Sequence, residues 1–214
     1  MLTYNSLSLY LQIIINVTLL TGLILFVKKG IKPKTVLFLF LSGESVLELS
    51  DLISRMMKLN TFNTYNYSLS QFFSLIMLTE IYNTYFIRIP HLVRLTVYVY
   101  ATVCLIFNLM YVQNITSVTF YSNIISTVII CSFAAVYFLN VIRKSRADRD
   151  LLIVNILAFL FFSIESLIST TFNFLISNHL AWVAPIWLFR GVLLWSFYIA
   201  FINLGCRIGK IRAC

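Results

Sequence analysis

A chain of 214 residues that is 60% hydrophobic and only 11% charged, with a mean hydropathy of +0.92, falls outside the range of water-soluble domains. Its 19 Phe and 12 Tyr exceed what a soluble core of this length needs, so many apolar side chains must face lipid. The net charge of +9 sits mostly at the ends of apolar runs, where anionic headgroups account for it and nucleic acid is not needed.

A backbone in lipid must satisfy its own hydrogen bonds, which leaves helices or a closed barrel. A barrel shows short segments of alternating polarity, whereas this chain has apolar runs of about twenty residues, such as Tyr121 to Val141. The sequence therefore predicts one all-α transmembrane domain over residues 1–214, a polytopic seven-helix bundle. The expected spans are 7–27, 35–55, 68–88, 92–112, 121–142, 151–177 and 182–205.

The first apolar run, Leu11 to Val27, has no basic region before it and no small-residue cleavage pattern after it, so a retained span is expected rather than a signal peptide. The second span carries Glu44, Glu48 and Asp51 at steps of four and three, one helical stripe that Arg55 continues. Two readings of that stripe stand. It is either an acidic edge satisfied by Arg55 and the hydroxyls of Ser42, Ser45 and Ser50, or the wall of a ligand or ion cavity. The third span holds Glu80 and is parted from the fourth by Arg88-Ile89-Pro90-His91, where Pro90 favours a break. Asn108 lies in the fourth span and Asn123 opens the fifth. Asn155, Ser163, Ser166, Ser169 and Asn173 recur along the sixth span around Glu165. The seventh carries Arg190, then Trp195 and Tyr198, and its Pro185 sits near the start, where a helix tolerates it.

Basic residues orient the bundle, because Lys and Arg collect in short cytoplasmic loops. Lys28, Lys29, Lys32, Lys34, Arg88, Arg94, Arg143, Lys144, Arg146, Arg149, Arg207, Lys210 and Arg212 fall on one side, against Arg55 and Lys58 on the other. That distribution predicts an outside N-terminus and a cytoplasmic C-terminus.

Ionisable groups within spans are expensive and turn inward, so they mark the candidate site. Counted from the expected outer ends, Glu48, Glu80, Glu165 and Arg190 lie at roughly 11, 18, 18 and 12 Å depth, at about 1.5 Å per residue. The expectation is that Glu44, Glu48, Glu80, Glu165 and Arg190 converge on one polar pocket. Glu165 is the first candidate partner for the lone guanidinium and Glu48 the second; outward snorkelling of Arg190 is the competing reading.

No catalytic set is apparent. His91 and His179 fall in loops on opposite sides, no metal-ligand spacing occurs, and neither a cofactor nor a retinal-bearing Lys in the last span is expected. None of the four Cys is placed for an outer disulfide. Asn66-Tyr-Ser and Asn114-Ile-Thr are candidate glycosylation acceptors.

The leading functional expectation is a membrane module that senses a small ligand or relays a signal to a cytoplasmic or membrane protein partner. A small-solute or proton-coupled transporter and an intramembrane lipid-modifying enzyme are the alternatives. Three stretches, Phe40-Leu-Ser-Gly-Glu-Ser-Val-Leu-Glu48, Tyr67-Ser-Leu-Ser-Gln-Phe-Phe-Ser74 with Glu80, and Ile153-Val-Asn-Ile-Leu-Ala-Phe-Leu-Phe-Phe-Ser163, resemble small multi-pass membrane proteins common in Bacteroidota. That resemblance implies an architecture and a bacterial inner (cytoplasmic) membrane, and no particular activity.

Overall fold

The computed structural model describes residues 4–58, 60–110, 115–144, 148–178 and 180–213. They form seven helices: α1 (Tyr4–Lys28), α2 (Val36–Met56), α3 (Asn60–Ile81), α4 (His91–Met110), α5 (Ile115–Lys144), α6 (Arg149–Asn178) and α7 (Leu180–Ala213). No strand occurs among the described residues. Asn114, Arg146, His179 and Cys214 lie outside them.

Five helices contain stretches long and apolar enough to cross a membrane: Ser6–Lys28, His91–Met110, Tyr121–Arg143, Arg149–Thr171 and Trp182–Ile208. The other two differ in polarity rather than length. At about 1.5 Å per residue, α2 reaches roughly 31 Å, but it carries Glu44, Glu48, Asp51 and Arg55. The first half of α3 is rich in Asn, Thr, Tyr, Ser and Gln. The outer faces are mostly apolar, with Leu92, Met110, Ile142, Val46 and Val27 among the most exposed side chains. Continuous apolar exposure of that kind suits lipid and is rare on soluble monomers.

Local chemistry sets the helix ends. Gly30, at φ 68°, closes α1: its N–H bonds Val27 O at 3.0 Å and that of Ile31 bonds Phe26 O at 3.0 Å, the paired bonds of a glycine-terminated helix. Thr35 caps α2, its hydroxyl accepting from Phe38 N at 3.4 Å. The break near Pro90 is present, and a π-helical turn over Tyr82–Phe86 precedes it. Extended backbone at Ile87 follows, and the Asn83 side chain accepts from Ile89 N at 3.2 Å. The last helix outruns its expected end at residue 205, continuing to Ala213.

Packing closes the helices into a ring. α1 touches α2 and α7, α2 touches α3, α5 touches α6, and α6 touches α7; α3 reaches α5 directly, which leaves α4 on the outside. Only Val97, Ala101 and Asn108 of α4 are buried. One buried hydrogen-bond chain pins the far side of the ring. The Tyr82 hydroxyl donates to Asn155 Oδ1 at 2.9 Å, and Asn155 Nδ2 donates to Ala134 O at 3.2 Å, tying the π-helical turn after α3 to α6 and α5. Interhelical hydrogen bonds in a bilayer have modest worth. Tyr82→Phe is therefore expected to lower stability by about 0.5–1.5 kcal/mol, read as a shift in the denaturant midpoint of the purified protein in micelles.

Candidate binding cavity

The charged residues of α2 divide between two neighbours. Toward α1, Asp51 accepts from Gln12 Nε2, while Arg55 Nη1 donates to Ser8 Oγ at 3.0 Å and Gln12 Oε1 at 3.3 Å. Toward the middle of the ring, Glu44 is 4% exposed and both carboxylate oxygens are engaged. Ser74 Oγ of α3 donates to Oε1 at 2.7 Å and the Tyr198 hydroxyl of α7 donates to Oε2 at 2.8 Å. The hydroxyls of Ser42 and Ser45 do not serve these acids. They bond back to Leu39 O and Leu41 O of their own helix, as serines within helices do.

Arg190 is paired with Glu165, its Nε donating to Glu165 Oε2. Glu165 Oε1 also accepts from Asn123 Nδ2 at 3.3 Å, and the same amide donates to Ser169 Oγ at 2.8 Å. The guanidinium carbon lies 5.4 Å from the Phe161 ring centroid and 5.0 Å from that of Trp187, within cation–π range. Arg190 thus pairs inside the bundle and does not snorkel outward.

These groups surround a cavity of about 100 Å³, counted as the space open to water centres. Since one water needs about 10–15 Å³ on that measure, there is room for several waters or a compact solute. Glu44 and Glu48 of α2, Glu165 of α6 and Arg190 of α7 line it, together with α3 and α5. Aromatic rings from Phe40, Tyr67, Phe161, Phe162, Phe197 and Tyr198 share the remaining wall with polar and aliphatic side chains.

Glu80 is not among the lining residues, which corrects the expectation that it joins the other four. It sits on the seam between α3 and α4, where the Tyr98 hydroxyl donates to it and Arg94 Nη1 lies 3.4 Å away. Arg94 and Tyr98 are one turn apart on α4, so this outlying helix provides its own partners for the acid.

Ser74, Gln71 and Tyr198 are the site residues that sequence reasoning did not select. Ser74 and Gln71 lie one turn apart on the α3 face that meets the acids, and Tyr198 lies two turns beyond Arg190 on α7. Helical spacing from Arg190 was the available signal for Tyr198. The Asn66 acceptor is likewise corrected: Asn66 is buried within α3, and its amide donates to Leu47 O at 3.0 Å. Cys104 and Cys131 are free thiols.

Among the described residues, no group of three or more His, Cys, Asp or Glu is placed to hold a metal ion. No protein-family model matches the chain, and neither a curated protein nor a solved structure does.

Proposed function

We propose that the chain is a seven-helix integral membrane module, outside at its N-terminus and cytoplasmic at its C-terminus, that senses a small ligand and relays its binding to a protein partner. One observation carries this reading: the ring of helices encloses a cavity walled by acids from α2 and α6 and by a guanidinium from α7. A place for α2 and α3 in the membrane with the other five is supported by Glu44, Glu48, Gln71 and Ser74, which line the cavity, and by Asp51 and Arg55, which bond residues of α1. The basic inner side and the resemblance to Bacteroidota membrane proteins support a bacterial inner membrane.

The relay has a structural route. α7 bears Arg190 in the cavity wall and Arg207 four turns or more toward its end, where Nη1 bonds Oδ1 of Asp148, just before α6, at 2.8 Å and Oδ2 of Asp150, in the first turn of α6, at 2.6 Å. A ligand that shifts α7 against α6 also strains this exposed clamp, beside the basic residues to which a cytoplasmic partner would dock. Hydrogen exchange of the protein in nanodiscs, with and without a small-molecule extract of its host cells, tests the reading. The expected result is slower exchange in the cavity-lining turns together with a change at residues 148–150 and at the end of α7. Unchanged exchange in both places would sink it.

A transporter is the second reading, favoured by a carboxylate, Glu48, that lines the cavity within the bundle. It requires solute or proton flux into vesicles that Glu48→Gln abolishes.

A further inference from the structure

Of the four charged groups in the cavity wall, two have a protein partner on every oxygen and two do not. Glu44 accepts from Ser74 and Tyr198, and Glu165 accepts from Arg190 and Asn123. Among the described residues, the Glu48 carboxylate lines the cavity with neither a hydrogen-bond donor nor an ion-pair partner. Arg190 spends only Nε on Glu165. Its terminal nitrogens have no acceptor among the described residues, and its side chain keeps 21% of its surface accessible against 8% for Glu165.

Glu48 and Arg190 line the same cavity yet form no ion pair with each other, so a gap separates them. A third group points the same way. Gln71 lines the cavity, its Oε1 accepts from Ser122 Oγ at 3.3 Å, and its Nε2 is buried without an acceptor. A buried amide donor left without an acceptor is costly, and a ligand or water that supplies one removes that cost.

Unfilled donors on Arg190 and Gln71, and an unfilled acceptor on Glu48, form a pattern that a simple cation or a simple anion only half completes. A cation leaves the guanidinium edge and the Gln71 amide empty; an anion leaves Glu48 unmatched and adds negative charge beside three acids. We propose that the cavity binds a compact zwitterion of the amino-acid class, with its ammonium group at Glu48 and its carboxylate on the terminal nitrogens of Arg190 and on Gln71 Nε2. Guanidinium is suited to this because its planar edge matches a carboxylate. The aromatic wall of Phe40, Phe161 and Phe197 then receives an apolar side chain. This assignment rests on the small-ligand reading above and names the chemistry of that ligand.

The test uses the full chain in nanodiscs, thermal shift across the standard amino acids, and calorimetry on the best binder beside two analogues of the same skeleton. For leucine these are isopentylamine, which lacks the carboxylate, and 4-methylpentanoate, which lacks the ammonium. The expected result is that at least one amino acid binds and that each analogue binds at least tenfold more weakly. Glu48→Gln should lower amino-acid affinity at least tenfold while the carboxylate analogue binds as well or better, since it no longer meets an unmatched acid. Because Glu48 holds no other side chain in place, this variant is expected to fold; its unliganded melting temperature checks that.

An amine analogue that binds as tightly as its amino acid would make the cavity a cation site, and a carboxylate analogue that does so would make it an anion site. Either result overturns the zwitterion while a small-ligand cavity survives. Binding by none of the amino acids also overturns it, and the host-extract exchange experiment then decides the broader reading separately.

Discussion

Replacing Arg190 with Met while Glu165 is kept lowers the stability of the bundle by about 3–5 kcal/mol. The reason is the acid left behind. Glu165 is held inside the ring, 8% exposed, with only the Asn123 amide to replace the lost guanidinium. Glu165→Met is expected to cost a similar amount, since it leaves the guanidinium between Phe161 and Trp187 without its paired carboxylate. The double replacement should recover most of the loss, because an apolar pair of similar volume avoids the cost of desolvating both charges. A double-mutant cycle of unfolding free energies in micelles measures this. Single losses below about 1 kcal/mol, the range of exposed ion pairs, would mean that lipid headgroups or water already solvate Arg190.

Gly205→Ala is expected to destabilise the α1–α7 seam by about 1–3 kcal/mol, the usual cost of overpacking. A Cβ at this position would occupy the edge of the Phe26 ring. Phe26 is fully buried and packs against Phe38 at 6.4 Å between centroids, so it has nowhere to turn. Close approach of helix backbones at small residues is a common way for membrane helices to associate, and Gly22 faces Ile202 across the same seam. Adding Phe26→Leu to Gly205→Ala should restore part of the loss. Equal melting temperatures for the wild type and Gly205→Ala would show that the seam has slack.

Helical class and the number of helices were legible from composition and run length, because lipid leaves a backbone few ways to satisfy its own hydrogen bonds. The break before α4 was legible from Pro90. The pairing of Arg190 with Glu165 could be named in advance, since a lone guanidinium in an apolar helix demands an acid and the preceding helix carries one. Depth along the membrane placed Glu80 with these groups, but depth is one coordinate only. The direction in which each helix faces is a second, and it comes from packing: α3 turns Ser74 and Gln71 to the cavity and presents Glu80 to Arg94 and Tyr98 of α4.

The fate of the α2 stripe makes the same division. Steps of four and three put Glu44, Glu48 and Asp51 on one stripe, and the sequence determined that by itself through helix geometry. A stripe is wide enough to meet two neighbours, and only the closing of the ring decided that Asp51 faces Gln12 of α1 while Glu44 faces Ser74 and Tyr198. Polarity in lipid is a property of residues and can be read from them. Which polar groups find each other, and which are left open for a ligand, depends on helix rotation and neighbour order, set by contacts between residues as far apart as Glu44 and Tyr198.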